Sequence, residues 1–147
     1  MDKNEIIATL NELIETSRDG EAGFRTCVDG VKNAQLKQMF EQAADRCRQA
    51  VGELQAKVRS LGGDPERSGS VSGALHRGWV NVKSTITGMD EAAVLAECER
   101  GEDVAKRTYE EALAKNLPAD VRTIVERQYQ GVRQHHDRVR QARNTVS

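Results

Sequence analysis

Glu21, Glu102 and His136 are the side chains whose types and spacing suit metal chemistry. Two carboxylates and an imidazole are the oxygen and nitrogen donors that hold iron or manganese. A carboxylate-bridged pair of ions takes one glutamate from each of two helices and a Glu-x-x-His pair from each of two others. The pairs work because residues three apart on a helix point at the same ion. Glu21 and Glu102 stand as the two single glutamates. The paired motifs are broken: Arg46 and Gln49 occupy the corresponding places in the second helical segment, and Arg133 stands three residues before His136. Such a set would hold one ion weakly, and two arginines beside it would instead neutralise the carboxylates with no ion at all. The residues favour a degenerate site with no cofactor; iron or manganese at Glu21, Glu102 and His136 is the alternative.

Gln128 and His135 share a second property with Glu102: each interrupts an otherwise apolar helical stripe. A carboxylate taken out of water is costly unless it is paired, protonated or metal-bound. The three residues predict a buried polar layer. Within it, at least one direct hydrogen bond to Glu102 is expected from Arg46, Gln128, Arg133, His135 or His136. Cys27, Cys47 and Cys98 are odd in number, widely spaced and outside any CxxC pair, which predicts reduced, buried thiols. His76 and Trp79 lie one turn apart around Arg77. They are expected to dock a short helix, the indole buried and the imidazole satisfying a backbone group. No Ser/His/Asp or Cys/His constellation and no phosphate-cradling glycine loop is present.

The elements that must position these groups are helices. Ile6, Leu10, Leu13, Ser17, Gly20, Phe24, Cys27 and Val31 alternate steps of four and three, the seam of a helix packed nearly parallel to its neighbours. Asp2 with Glu5 forms a capping box before it. The rhythm returns from Leu36 through Phe40, Ala43, Cys47, Leu54 and Val58, and stops at Gly62-Gly63, with Asp64-Pro65 confirming the break. A third seam runs Leu95, Cys98, Glu102, Ala105, Tyr109 and Ala112. After Pro118 a fourth runs Val121, Val125, Gln128, Val132, His135 and Val139. The long helices are thus expected at about 3–31, 34–61, 90–115 and 118–145, in a single domain over 1–147. Tight connections near Lys32-Asn33 and Asn116-Pro118 make each consecutive pair an antiparallel hairpin. The long stretch between the hairpins, with a short helix at about 71–87, is the crossover of a ferritin-like four-helix bundle.

Composition agrees. Of the residues, 37% are apolar and 31% charged, with two prolines, and good helix formers dominate. That pattern argues against a β-sandwich or barrel and for an all-α chain. The formal net charge of −1 excludes a polyanion binder held by bulk charge, and Arg138, Arg140 and Arg143 lack the interleaved aromatics of a nucleic-acid surface. No apolar run approaches a membrane span and the polar N-terminus is no signal peptide, so a cytoplasmic protein is expected.

Several segments resemble known proteins. Gly101-Glu102 through Tyr109 is similar to the glycine–glutamate helix of rubrerythrins, where the glutamate binds iron, and Gly20-Glu21 resembles the same signature on the first helix. The chain resembles more closely a bacterial family of ferritin-like bundles of unassigned function. The resemblance rests on LIETSRDGEAGF (13–24), GGDPERSGSVSGALHRGW (62–79), ECERGED (97–103) and QYQGVRQHHDRVR (128–140). It implies the fold and little chemistry. The expected function is a stress-associated structural or interaction protein, working as a homodimer or through a protein partner, without established catalysis. A metal-carboxylate enzyme acting on iron, oxygen or peroxide is the alternative.

Overall fold

A computed structural model describes residues 1–65 and 91–146. They form four helices: α1 (Lys3–Asp29), α2 (Ala34–Ser60), α3 (Glu91–Leu113) and α4 (Ala119–Val146). No strand occurs among the described residues. The expected crossover helix, with His76, Arg77 and Trp79, lies outside them.

Local signals set the helix ends. Asp2 accepts a hydrogen bond from the Glu5 amide at 2.8 Å, and Asn33 accepts from the Gln35 and Leu36 amides at 2.8 and 3.0 Å. Each satisfies donors that the first turn leaves orphaned. After α2 the chain turns at Gly62, whose φ of 83° lies in the left-handed region, and the Gly63 amide returns to the Val58 carbonyl at 3.0 Å. The end of α3 is closed from the next helix. The Arg122 guanidinium donates to the Leu113 and Lys115 carbonyls at 3.1 and 2.7 Å, pinning the turn between α3 and α4.

Both hairpins are antiparallel, and they also pack antiparallel to each other. At one end of the bundle the Glu91 carboxylate accepts from the Lys32 and Asn33 amides, each at 3.0 Å; at the other Lys115 donates to Thr9 Oγ1 at 3.1 Å. These contacts run α1 and α3 in opposite directions. Lys57 pairs with Asp120 and Glu53 with Arg127, which does the same for α2 and α4. The last turn of α2 and the first turn of α3 therefore lie at opposite ends of the bundle. Of the neighbouring helices, α2 and α4 approach least closely. No described helix is long and apolar enough to cross a membrane.

The interior divides along the bundle axis. One apolar cluster gathers Phe24, Phe40, Leu95, Cys98 and Val139, with the Phe24 and Phe40 rings stacked at 6.2 Å. The other gathers Leu10, Leu13, Leu54, Tyr109 and Val125. Between them every helix turns polar inside: Thr16 and Ser17 on α1, Arg46 on α2, Glu99 and Glu102 on α3, and Gln128, His135 and His136 on α4. This polar waist is where the sequence places its chemistry.

The expectation of three reduced thiols is corrected. Cys27 and Cys98 form a disulfide between α1 and α3, both fully buried, and Cys47 alone is free. The register set by the Glu91 and Lys115 contacts brings position 27 opposite position 98, a pairing that spacing along one chain does not reveal. Alkylation of the unfolded, unreduced protein should accordingly label Cys47 alone, and all three cysteines after reduction. Labelling of Cys27 or Cys98 before reduction, read by peptide mass, would contradict the bond.

Candidate functional site

Glu102 lies at the centre of the waist, 3% exposed, in the middle of α3. Its Oε1 is buried without a hydrogen-bond partner, and among the described residues the direct bond expected from Arg46, Gln128, Arg133, His135 or His136 is not formed, Gln128 and His136 being bonded elsewhere. Burial pushes its carboxyl well above the ordinary glutamate value. The Arg46 charge opposes that shift, while Asp103, Asp137 and Glu99 reinforce it. A neutral acid satisfies the site better than a carboxylate would.

Arg46 reaches the waist from α2 by a route that depends on Gly131. A Cβ built on that glycine of α4 would lie 1.9 Å from Arg46 Nη1 and 2.9 Å from its Cζ, so the guanidinium rests against bare backbone. Glycine in a helix interior costs about 1 kcal/mol relative to alanine, and here it clears the place where α2 and α4 stand apart. Burial draws the Arg46 pKa down from its ordinary value, although an arginine stays charged. Its Nε is buried without a hydrogen-bond partner, and among the described residues no carboxylate forms an ion pair with it.

A complete hydrogen-bond chain runs beside these two groups. Gln128 Nε2 donates to Glu53 at 2.7 Å, and a carboxylate can only accept, so the amide oxygen must face inward. That oxygen accepts from the Tyr109 hydroxyl at 2.8 Å. With the tyrosine proton so used, Ser17 donates to Tyr109 at 3.3 Å. Arg127 completes the chain at the surface by pairing with Glu53. Burial works against ionisation of Glu53, but the hydrogen bonds from Arg127 and Gln128 hold its carboxyl below the ordinary value. Burial raises the Tyr109 hydroxyl and pushes the Cys47 thiol up to about 12, so neither ionises near neutral pH.

The expected metal residues are not brought together. Gly20 leaves room, but Cys47 Sγ fills it, 3.0 Å from where a glycine Cβ would stand. Glu21 turns outward and pairs with Arg25 at 3.1 Å. His136 is buried, yet its Nε2 is held by Asp103 at 2.6 Å and its Nδ1 lies 3.5 Å from Asp137. Among the described residues no three His, Cys, Asp or Glu side chains are grouped as metal ligands. Glu102, Gln128 and His135 are all buried, as a polar layer requires, but Gln128 is committed to Tyr109 and Glu53 rather than to Glu102.

Residues 5–115 match the family described as Domain of unknown function (DUF2383). The chain belongs to that family. No curated protein matches the chain. Two solved structures show the fold it shares. One is the dodecameric thioferritin of Bacteroides fragilis, a bacterioferritin-related protein, with 16% identity, a TM-score of 0.78, and 99% of this chain and 87% of that one covered. The other is a two-domain protein of Anabaena variabilis with DJ-1/ThiJ/PfpI-like and ferritin-like domains. It shows 16% identity, a TM-score of 0.81, and 100% of this chain against 41% of that one. This DUF2383 chain is therefore a ferritin-like bundle, and the similarity extends to fold alone.

The sequence reading missed the Ser17–Tyr109–Gln128–Glu53 chain and the crossing of Arg46 over Gly131. A glycine inside a helix that otherwise favours arginine, glutamine and valine was the available signal for the second. Two substitutions test the waist. Tyr109→Phe strips Gln128 and Ser17 of their buried partner, and urea unfolding should show a loss of about 1–3 kcal/mol. Glu102→Gln should act in the opposite direction. An acid held above its ordinary value keeps its proton in the folded chain after the unfolded chain has lost it, so stability falls as pH climbs past that value. The glutamine variant removes that slope. It should be more stable than the native protein by about 1–3 kcal/mol at pH 8, with the difference shrinking toward pH 5. A variant less stable at pH 8 would mean that an ionised Glu102 serves Arg46.

Proposed function

We propose that this protein is a non-catalytic ferritin-like scaffold whose interior has exchanged a metal centre for a proton and an arginine, and that it acts through binding. The observation that carries the reading is Arg46, laid across Gly131 in the same waist that buries the Glu102 carboxyl. A proton lessens the charge of a buried carboxyl and a chain-borne cation stands where a metal would, without open coordination positions for oxygen or peroxide. The residues do not fit a carboxylate-bridged centre. Glu21 and His136 have other partners, and Arg46, Gln49 and Arg133 stand where ligands would be needed. Such a scaffold suits the expected role as a structural or interaction protein, stress-associated by likeness to other small ferritin-like proteins.

The metal-carboxylate alternative has one observation in its favour: Glu102 Oε1 and His135 Nδ1 are both buried without a hydrogen-bond partner. Elemental analysis of untagged protein purified without chelator separates the readings. The scaffold reading expects iron and manganese well below one ion per chain, unchanged in Glu102→Ala. Stoichiometric metal that disappears in Glu102→Ala would establish the alternative.

A further inference from the structure

Between α2 and α4, where the helices approach least closely, lies a cleft of about 390 Å³. Arg46, Gln49 and Ala50 form its α2 wall, Gln128 and Val132 its α4 wall, with Tyr109 and Ser17 among its lining residues. Its size falls within the range of small-molecule sites. Its charges are unevenly matched. Arg127 and Glu53 neutralise each other, and Gln128 is spent between Glu53 and Tyr109. Arg46 is different: it lines the cleft, its Nε has no hydrogen-bond partner, and no described carboxylate pairs with it. The cleft thus presents one unmatched guanidinium beside the apolar surfaces of Ala50 and Val132.

We propose that this cleft binds a small organic carboxylate, its anionic end on the Arg46 guanidinium and its apolar body against Ala50 and Val132. The planar fork of an arginine matches a carboxylate with two parallel hydrogen bonds. A single free cation and a partly apolar wall suit a monoanion with a hydrocarbon portion better than phosphate, whose second charge would find Arg127 already engaged. Gly131 is the positioning residue, because any side chain there would displace the guanidinium. Burial raises the Glu102 carboxyl and the Cys47 thiol above their ordinary values, which lessens the repulsion either would exert on the anion. The inference rests on the scaffold reading only in taking Arg46, not a metal, as the positive charge of the interior.

Benzoate is the probe, titrated into the full chain labelled with nitrogen-15, with benzyl alcohol and inorganic phosphate as comparisons. The expected result is saturable binding with shifts centred on the amides of Gln49, Ala50 and Val132, and at least about tenfold weaker binding of both comparisons. Arg46→Met and Gly131→Ala should each weaken benzoate by about tenfold or more, with folding verified by circular dichroism. If either variant fails to fold, the map on the native protein decides. Absence of saturation up to about 20 mM, shifts centred elsewhere, equal binding of benzyl alcohol or phosphate, or unchanged affinity in a folded Arg46→Met would each overturn the proposal. Metal content is measured separately, so a failure of the scaffold reading is distinguishable from a failure of this site.

Discussion

The structure depends on how a carboxylic acid and a guanidinium are accommodated in the middle of a helical bundle. Water solvates charge so well that removing it must be answered by a partner, a proton or an ion. Here the answer is divided. Burial drives Glu102 toward its protonated form, and Arg46 keeps its charge where α2 and α4 stand apart. The apolar clusters on either side can then close without an ionised carboxylate trapped between them.

The hydrogen-bond chain from Ser17 to Arg127 complements that arrangement. Its members draw on all four helices, so each bond also reports that the helices are in register. Apolar side chains tolerate sliding by a fraction of a turn, whereas a tyrosine hydroxyl and an amide must meet within a few tenths of an ångström. The polar waist therefore specifies the alignment that the two apolar clusters stabilise. Because a carboxylate cannot donate, Glu53 also fixes which way the Gln128 amide lies, and so which proton Tyr109 gives away.

Much of this was legible in the residues. The alternation of four- and three-residue steps located the four long helices, with ends within about two residues of those observed, and Asp2, Gly62 and Pro118 marked their boundaries. The polar seam positions Glu102, Gln128 and His135 are buried. What resisted reading was lateral. Periodicity tells which face of a helix is inward, not which residue of another helix lies opposite. Hence the pairing of Cys27 with Cys98, the filling of the space over Gly20 by Cys47 and the missing hydrogen-bond partner of Glu102 Oε1 are not legible along any one helix. His136 shows the same limit: its partner Asp103 is the neighbour of the glutamate expected beside it.

The directions of the helices carry one more consequence. Since α1 opposes both α2 and α3, and α4 opposes both α3 and α2, helix beginnings and helix ends alternate around the square at each end of the bundle. The partial positive charge of each amino end sits beside the partial negative charge of its neighbours' carboxyl ends. Summed over the four, the backbone dipoles largely cancel along the axis. The electrical landscape at mid-height is consequently written by side chains, and a single substitution there alters it without a standing backbone field to mask the change.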